Sequence, residues 1–95
     1  MKGGYVYIMS NKNRSTFYIG VTSNLKIRIA DHKNGKGSSF TSKYNLCDLL
    51  YYEKFPDIYQ AIDREKQLKR WHRLWKINLI KSVNPEMNDL FWEIR

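Results

Sequence analysis

The sequence has few of the residues that crosslink a chain or anchor it in a membrane. Its single cysteine, Cys47, excludes an intramolecular disulfide, and neither a CxxC pair nor a nearby histidine accompanies it to suggest zinc. No apolar run approaches the ~18 residues that a membrane helix needs. The first ten residues also lack the features of a cleaved leader. We therefore expect a cytoplasmic protein without a membrane partner.

Acidic residues are scarce as well. Nine Asp and Glu stand against 17 Lys and Arg, a formal net charge of +8. The basic excess is concentrated between residues 64 and 81, where Trp71 and Trp75 are interleaved with it. This pattern favours a polyanionic partner such as nucleic acid, and the alternative is a solvated helix face. The candidate nucleic-acid contacts are Lys36, Lys66, Lys69, Arg70, Arg73 and Lys76.

The 95 residues, 42% of them hydrophobic, are enough for one core, so residues 1–95 are expected to form one domain. Runs rich in aromatic and β-branched residues predict strands over 5–10, 16–21 and 46–55. Helices are predicted after Ser23 or Asn24, after Asp57, and over about 73–82, with a polar loop at 38–45. The order β-β-α-β-α-α is not a regular βαβ repeat, so we expect an α+β fold, a small antiparallel sheet flanked by helices.

The first two strands are expected to form a hairpin. If its loop is the four residues 11–14, Ser10 pairs with Ser15 and Tyr7 lies directly opposite Tyr18. Two phenols on one face of a sheet are compatible with catalysis, although aromatic cross-strand pairs are also common stabilising contacts.

Polar residues also fall beside the apolar stripes of two predicted helices. Arg28 and His32 are four residues apart and border the stripe that faces the core. Glu65 falls within the apolar stripe of the next long helix, where an unpaired carboxylate is costly. Its partner is expected to be a metal ion or a basic residue, and an Arg28–Glu65 ion pair at the core margin is the structural alternative.

Together these residues resemble the GIY-YIG nuclease superfamily. The resemblance rests on YVYI at 5–8, FYIG at 17–20, Arg28 ten residues after Tyr18, His32 four residues further on, and Glu65 within REKQLKRW. The chain is similar in particular to small, stand-alone bacterial members. The resemblance implies a three-stranded antiparallel sheet with flanking helices and a one-metal site for phosphodiester hydrolysis.

The resemblance also implies roles for the two tyrosine motifs. Tyr7 would be the tyrosine of the first motif and Tyr18 that of the second, both facing the scissile phosphate. Gly20 would be the small residue that closes the second motif. The first motif reads Tyr5-Val6-Tyr7 and lacks the glycine after which the family is named.

The remaining site residues implied by the resemblance come from the helices. Arg28 would hold the phosphate, His32 would orient water or a tyrosine hydroxyl, and Glu65 would ligate one divalent cation, Mg²⁺ or Mn²⁺. Active members often carry an asparagine after the metal glutamate, and the candidates here are Asn78 and Asn84.

These observations lead to one principal functional hypothesis and two alternatives. The first is a metal-dependent endonuclease that hydrolyses phosphodiester bonds in DNA, structure-selective and linked to repair or recombination, with RNA not excluded. The second is a nucleic-acid-binding module on the same scaffold with little or no catalysis. The third is an interaction domain for an acidic protein partner.

Overall fold

The computed structural model describes residues 3–94. Its sheet consists of β1 (Gly4–Ser10), β2 (Phe17–Thr22) and β3 (Asp48–Phe55), with β1 in the centre and antiparallel to both neighbours. The helices are α1 (Leu25–Lys33), α2 (Ser39–Lys43), α3 (Ile58–Lys69) and α4 (Arg73–Val83), followed by a 3₁₀ turn (Phe91–Glu93). The predicted fold class is confirmed, with α2 as an addition to the predicted order. No helix within residues 3–94 has the length and apolarity to cross a membrane.

The hairpin register differs from the predicted one. Tyr7 pairs with Gly20, and Tyr18 pairs with Met9, so the two tyrosines are diagonal rather than directly opposite. The prediction was wrong because the loop has six residues. The Asn11 side chain accepts hydrogen bonds from the backbone N–H groups of Ser15 (2.9 Å) and Thr16 (3.2 Å), which holds these residues outside the ladder. The register moves by two residues and leaves each side chain on its expected face.

The side chains of β1 alternate between two buried faces of the sheet. One face packs against α3 and α4, in a cluster that includes Val6, Ile8, Leu68 and Ile80. The other packs against α1, in a cluster that includes Tyr7, Met9, Leu25 and Ile29. β2 is a terminal strand of this sheet. The outer edge of β2 therefore lies between α1 on one face and α3 and α4 on the other. Residues from both faces can meet at this edge, and the candidate site lies there.

The N-caps predicted for α1 and α3 are both present. The Asn24 side chain accepts from the Ile27 N–H at 3.2 Å at the start of α1, and Asp57 accepts from the Gln60 N–H at 2.9 Å at the start of α3. Each cap satisfies one of the N–H groups that a helix start leaves unpaired. These caps fix where both helices leave the sheet.

The polar loop predicted at 38–45 is wrong, because residues 39–43 form the short helix α2. The Ser38 side chain caps it by accepting from the Thr41 N–H at 3.2 Å. Gly35, with a φ of 75°, ends the turn after α1. A five-residue helix gives little periodic signal in a sequence, which explains the wrong prediction.

Asn84 secures the segment that follows α4. It is buried, and its amide donates to the backbone oxygens of Leu50 (3.0 Å) and Asn88 (2.8 Å). Its side-chain oxygen accepts from the Asn88 N–H at 3.1 Å. The Asn84 side chain is therefore occupied in structural hydrogen bonds, whereas Asn78 is exposed on α4.

Candidate active site

Tyr7 belongs to the central strand β1, and its ring extends across Gly20 of the edge strand β2. The residue is 1% exposed. A Cβ atom at Gly20 would lie 2.4 Å from Tyr7 Oη and 2.5 Å from Tyr7 Cζ. No side chain larger than hydrogen fits this approach without displacing the ring. Because Gly20 has no side chain, the Tyr7 phenol can pass over it and reach its hydrogen-bond partner on α1.

That partner is His32, which links Tyr7 to α2. Tyr7 Oη lies 3.0 Å from His32 Nε2, and His32 Nδ1 lies 3.1 Å from Thr41 Oγ1. The Thr41 hydroxyl in turn donates to the Ser38 carbonyl at 3.0 Å. Both His32 and Thr41 are buried. A chain of three side chains thus connects the sheet to the short helix.

The hydrogen-bond partners assign the protons along this chain. Among the hydrogen bonds of residues 3–94, Tyr7 Oη meets no acceptor besides His32 Nε2. The Thr41 proton is directed to the Ser38 carbonyl, which can only accept. Both contacts are satisfied when His32 carries its proton on Nδ1 and donates it to Thr41. His32 Nε2 is then unprotonated and accepts from the Tyr7 hydroxyl.

Burial and Arg28 control the charge of these groups. Burial, reinforced by the positive charge of Arg28, lowers the pKa of His32 to about 4. Burial also raises the pKa of Tyr7, against the neighbouring Arg28 guanidinium, which lowers it. Near neutral pH the imidazole is therefore uncharged and the phenol protonated.

Arg28 and Tyr18 complete the group on this side of the sheet. The neighbouring Tyr7 hydroxyl raises the pKa of the half-buried Arg28 guanidinium, which stays charged. The Tyr18 ring centroid lies 6.3 Å from that of Tyr7 and 5.8 Å from that of His32. The structure thus brings together four of the predicted residues, Tyr7, Tyr18, Arg28 and His32.

Glu65 approaches from α3, on the other face of the sheet. Its side chain is 20% exposed, and its ion pair in residues 3–94 is with Lys69 at 3.3 Å. The alternative prediction of an Arg28–Glu65 ion pair is wrong, because the two residues belong to helices on opposite faces. The Glu65 carboxylate still acts on the site, where its negative charge adds to the burial that raises the pKa of Tyr7.

The donor set around Glu65 fits a cation held largely by substrate and water. The described residues contain no group of three or more His, Cys, Asp or Glu side chains that could hold a metal. Mg²⁺ keeps several waters and commonly binds through one or two carboxylates plus substrate phosphates. A single, partly buried carboxylate is compatible with that mode and not with an all-protein cage.

Most of the residues predicted to contact nucleic acid are exposed on the surface. Lys36, Lys66 and Arg70 are exposed. Lys69 is exposed but pairs with Glu65, and Lys76 is half-buried beside β2. Arg73 has structural contacts, because it donates to the Arg14 carbonyl at 2.8 Å and lies 4.6 Å above the Phe17 ring.

Three residues of the site were not predicted as site residues: Ser38 and Thr41, which belong to the segment predicted as a loop, and Gly37, which immediately precedes it. Ser38 and Thr41 hold His32, and a Cβ at Gly37 would lie 2.2 Å from His32 Nδ1. The spacing of Ser38 and Thr41, a serine cap with its partner three residues on, was the available signal.

The fold, with tyrosine, arginine and histidine side chains gathered under the edge of the sheet, is that of a GIY-YIG catalytic domain. The model of that domain family matches residues 3–78. The chain belongs to the GIY-YIG family, whose domain is of the nuclease type, acts on nucleic acid and generally uses divalent metal ions.

Relatives within the family are small proteins of similar length. A UPF0213 protein of Staphylococcus haemolyticus is 38% identical over 78 residues, covering 82% of this chain and 94% of its own. A UPF0213 protein of Clostridium perfringens is 40% identical over 84 residues, covering 86% and 89%. The solution NMR structure of a UPF0213 protein from Bacillus halodurans superposes with a TM-score of 0.57 at 28% identity, covering 88% of each chain.

Proposed function

We propose that this chain is a metal-dependent endonuclease that hydrolyses phosphodiester bonds in DNA. The observation that carries the proposal is the Tyr7–His32–Thr41 hydrogen-bond chain beside the charged Arg28. Hydrolysis needs a proton acceptor for water and a positive group for the phosphate. This group of side chains offers both within one small volume.

In the proposed reaction, Tyr7 relays a proton from the attacking water to His32. Tyr7 Oη takes a proton from the attacking water as its own proton passes to His32 Nε2. The hydroxide oxygen bonds to phosphorus, the bond from phosphorus to the leaving sugar oxygen breaks, and that oxygen takes a proton from a solvent water to become a hydroxyl. Arg28 offsets the added negative charge on the phosphate.

Substrate binding would prepare His32 for this role. In the free protein burial and Arg28 hold the pKa of His32 at about 4, which makes the imidazole a weak base. A phosphate bound to Arg28 brings a negative charge that opposes the effect of the guanidinium. We therefore expect His32 to become more basic when the substrate is in place.

Glu65 is the proposed ligand of Mg²⁺ or Mn²⁺. When bound, the cation would neutralise charge on the phosphate and on the leaving oxygen. The Glu65 carboxylate would exchange its ion pair with Lys69 for this interaction. Tyr18 would contact the same phosphate from the strand edge.

The test is cleavage of single-stranded, duplex, flap and branched DNA, and of matching RNA, with Mg²⁺, Mn²⁺ or EDTA. We expect metal-dependent products that Tyr7→Phe reduces by on the order of 100-fold or more and that Glu65→Gln abolishes. Asp63→Asn is the matched control, because Asp63 is an exposed carboxylate on the same helix. Full activity in Glu65→Gln would refute the metal assignment.

The second candidate is a nucleic-acid-binding module without catalysis. It is favoured by the Glu65–Lys69 ion pair, which already satisfies the carboxylate. In that case every substrate would bind without product, and Glu65→Gln would leave binding unchanged. A role in DNA repair or recombination would be supported by preferential cleavage of flaps or branches.

A further inference from the structure

An open groove crosses the edge of β2 next to the candidate active site. It draws residues from both faces of the sheet, because β2 is a terminal strand. The residues that line it are Phe17, Tyr18, Ile19, Phe40, Lys69 and Lys76. Tyr18 and Phe40 form an aromatic wall on one side, and Lys69 and Lys76 come from α3 and α4 on the other. The groove begins at Tyr18, the ring that contacts Tyr7 and His32.

The aromatic wall extends outward from the site. The Phe40 ring lies 6.2 Å from that of Tyr18 at an interplanar angle of 30°, and 4.8 Å from that of Tyr44. Phe40 and Tyr44 are 43% and 42% exposed. Both belong to the α2 segment whose Thr41 is buried against His32, so the aromatic rings are the outward face of that segment. Core packing does not account for them.

The opposite wall supplies positive charge. Lys76, on α4, has no ion pair within residues 3–94, and Lys69, on α3, pairs with Glu65 at the site. An aromatic surface facing two lysines across a groove matches one nucleotide, with a flat base and a charged phosphate. Single-stranded nucleic acids are bound by this combination of stacking surfaces and basic side chains.

We propose that this groove binds a nucleotide with an unpaired base, stacked on Phe40, while its phosphate lies between Lys69 and Lys76. The base must be unpaired because a base inside a duplex already has neighbours stacked on both sides. The proposal rests on the proposed nuclease function and narrows its substrate class to single-stranded or frayed strands.

The test is equilibrium binding in EDTA, so that cleavage does not enter the measurement. Three probes of equal length are compared: a single strand, an abasic strand that keeps the phosphates without the bases, and a blunt duplex. We expect the native protein to bind the single strand most tightly. Phe40→Ala should weaken that binding roughly 5- to 100-fold and leave the abasic strand unaffected.

Three further variants separate stacking from charge and from loss of folding. Phe40→Trp keeps an aromatic face and should retain binding. Tyr59→Ala removes a 71% exposed aromatic at the far end of α3 and should have no effect. Lys76→Gln should reduce the slope of log affinity against log salt by about one, whereas Phe40→Ala should leave the slope unchanged.

Several results would overturn the proposal. These are equal native affinity for the single and abasic strands, native-like binding by Phe40→Ala, or an equal loss with Tyr59→Ala. The outcome is separable from that of the nuclease proposal. Binding that depends on Phe40 without cleavage under any condition would refute only the nuclease, and cleavage of single strands that is indifferent to Phe40 would refute only the groove.

Discussion

Gly20→Ala tests the contact on which the candidate site depends. The added Cβ would lie 2.4 Å from Tyr7 Oη, where a normal contact is about 3.5 Å. The ring must therefore move by about 1 Å, yet Tyr7 is 1% exposed and packed among core side chains. Any such movement also breaks the 3.0 Å hydrogen bond to His32.

The expected loss of stability follows from these two effects. Overpacking a core costs about 1–3 kcal/mol, and the lost hydrogen bond adds about 1 kcal/mol. Alanine in place of glycine in a strand recovers roughly 0.5–1 kcal/mol of chain entropy. We expect Gly20→Ala to reduce the free energy of unfolding by about 2–3 kcal/mol, a large fraction of the total for a small domain.

The assay is urea unfolding of a double-mutant cycle with Tyr7→Ala. Removing the ring removes the obstacle, so Gly20→Ala should cost less than about 1 kcal/mol in the Tyr7→Ala background. Cleavage by Gly20→Ala should fall on the order of 100-fold, because the phenol is displaced by about 1 Å. An equal loss of stability in both backgrounds would refute the steric argument, whatever happens to activity.

Two further predictions concern His32. Thr41→Val removes the acceptor for Nδ1 and should destabilise the fold by about 1–3 kcal/mol, whereas Thr41→Ser should be close to native. Imidazole ¹⁵N shifts should show Nδ1 protonated in the native chain, and an Nε2-protonated ring would contradict the assignment. The pKa of His32 is lowered from 6.5 to about 4, so the unfolded chain takes up this proton first as the pH falls. The contribution of neutral His32 to the free energy of unfolding is fully present above about pH 6.5 and is lost as the pH falls toward about 4. This loss amounts to at most about 3 kcal/mol. Urea unfolding of native and His32→Gln across that window checks it, with His72→Gln as an exposed control, and an equal pH dependence of native and His32→Gln would refute it.

The strands and the three longer helices, α1, α3 and α4, were predictable because their signals are local. The strands are rich in aromatic and β-branched residues, and the caps at Asn24 and Asp57 are read from neighbouring positions. The hairpin register was not predictable, since it depends on how Asn11 folds the loop back onto Ser15 and Thr16. A loop two residues longer changes which residues pair without changing either strand.

The sequence by itself determined the order of the three strands and of α1, α3 and α4, the excess of basic residues, and the spacing of Tyr7, Tyr18, Arg28, His32 and Glu65. Spacing along a chain determines which helix or strand carries a residue and which way it faces. Only the tertiary structure decided that the Tyr7 ring crosses Gly20 to reach His32, that Thr41 holds the other imidazole nitrogen, and that Glu65 pairs with Lys69 rather than Arg28. Apart from the Glu65–Lys69 pair, which lies within α3, these contacts join residues distant in the sequence or depend on a helix too short to leave a periodic pattern. Only the packing of the elements brings those residues within hydrogen-bonding distance.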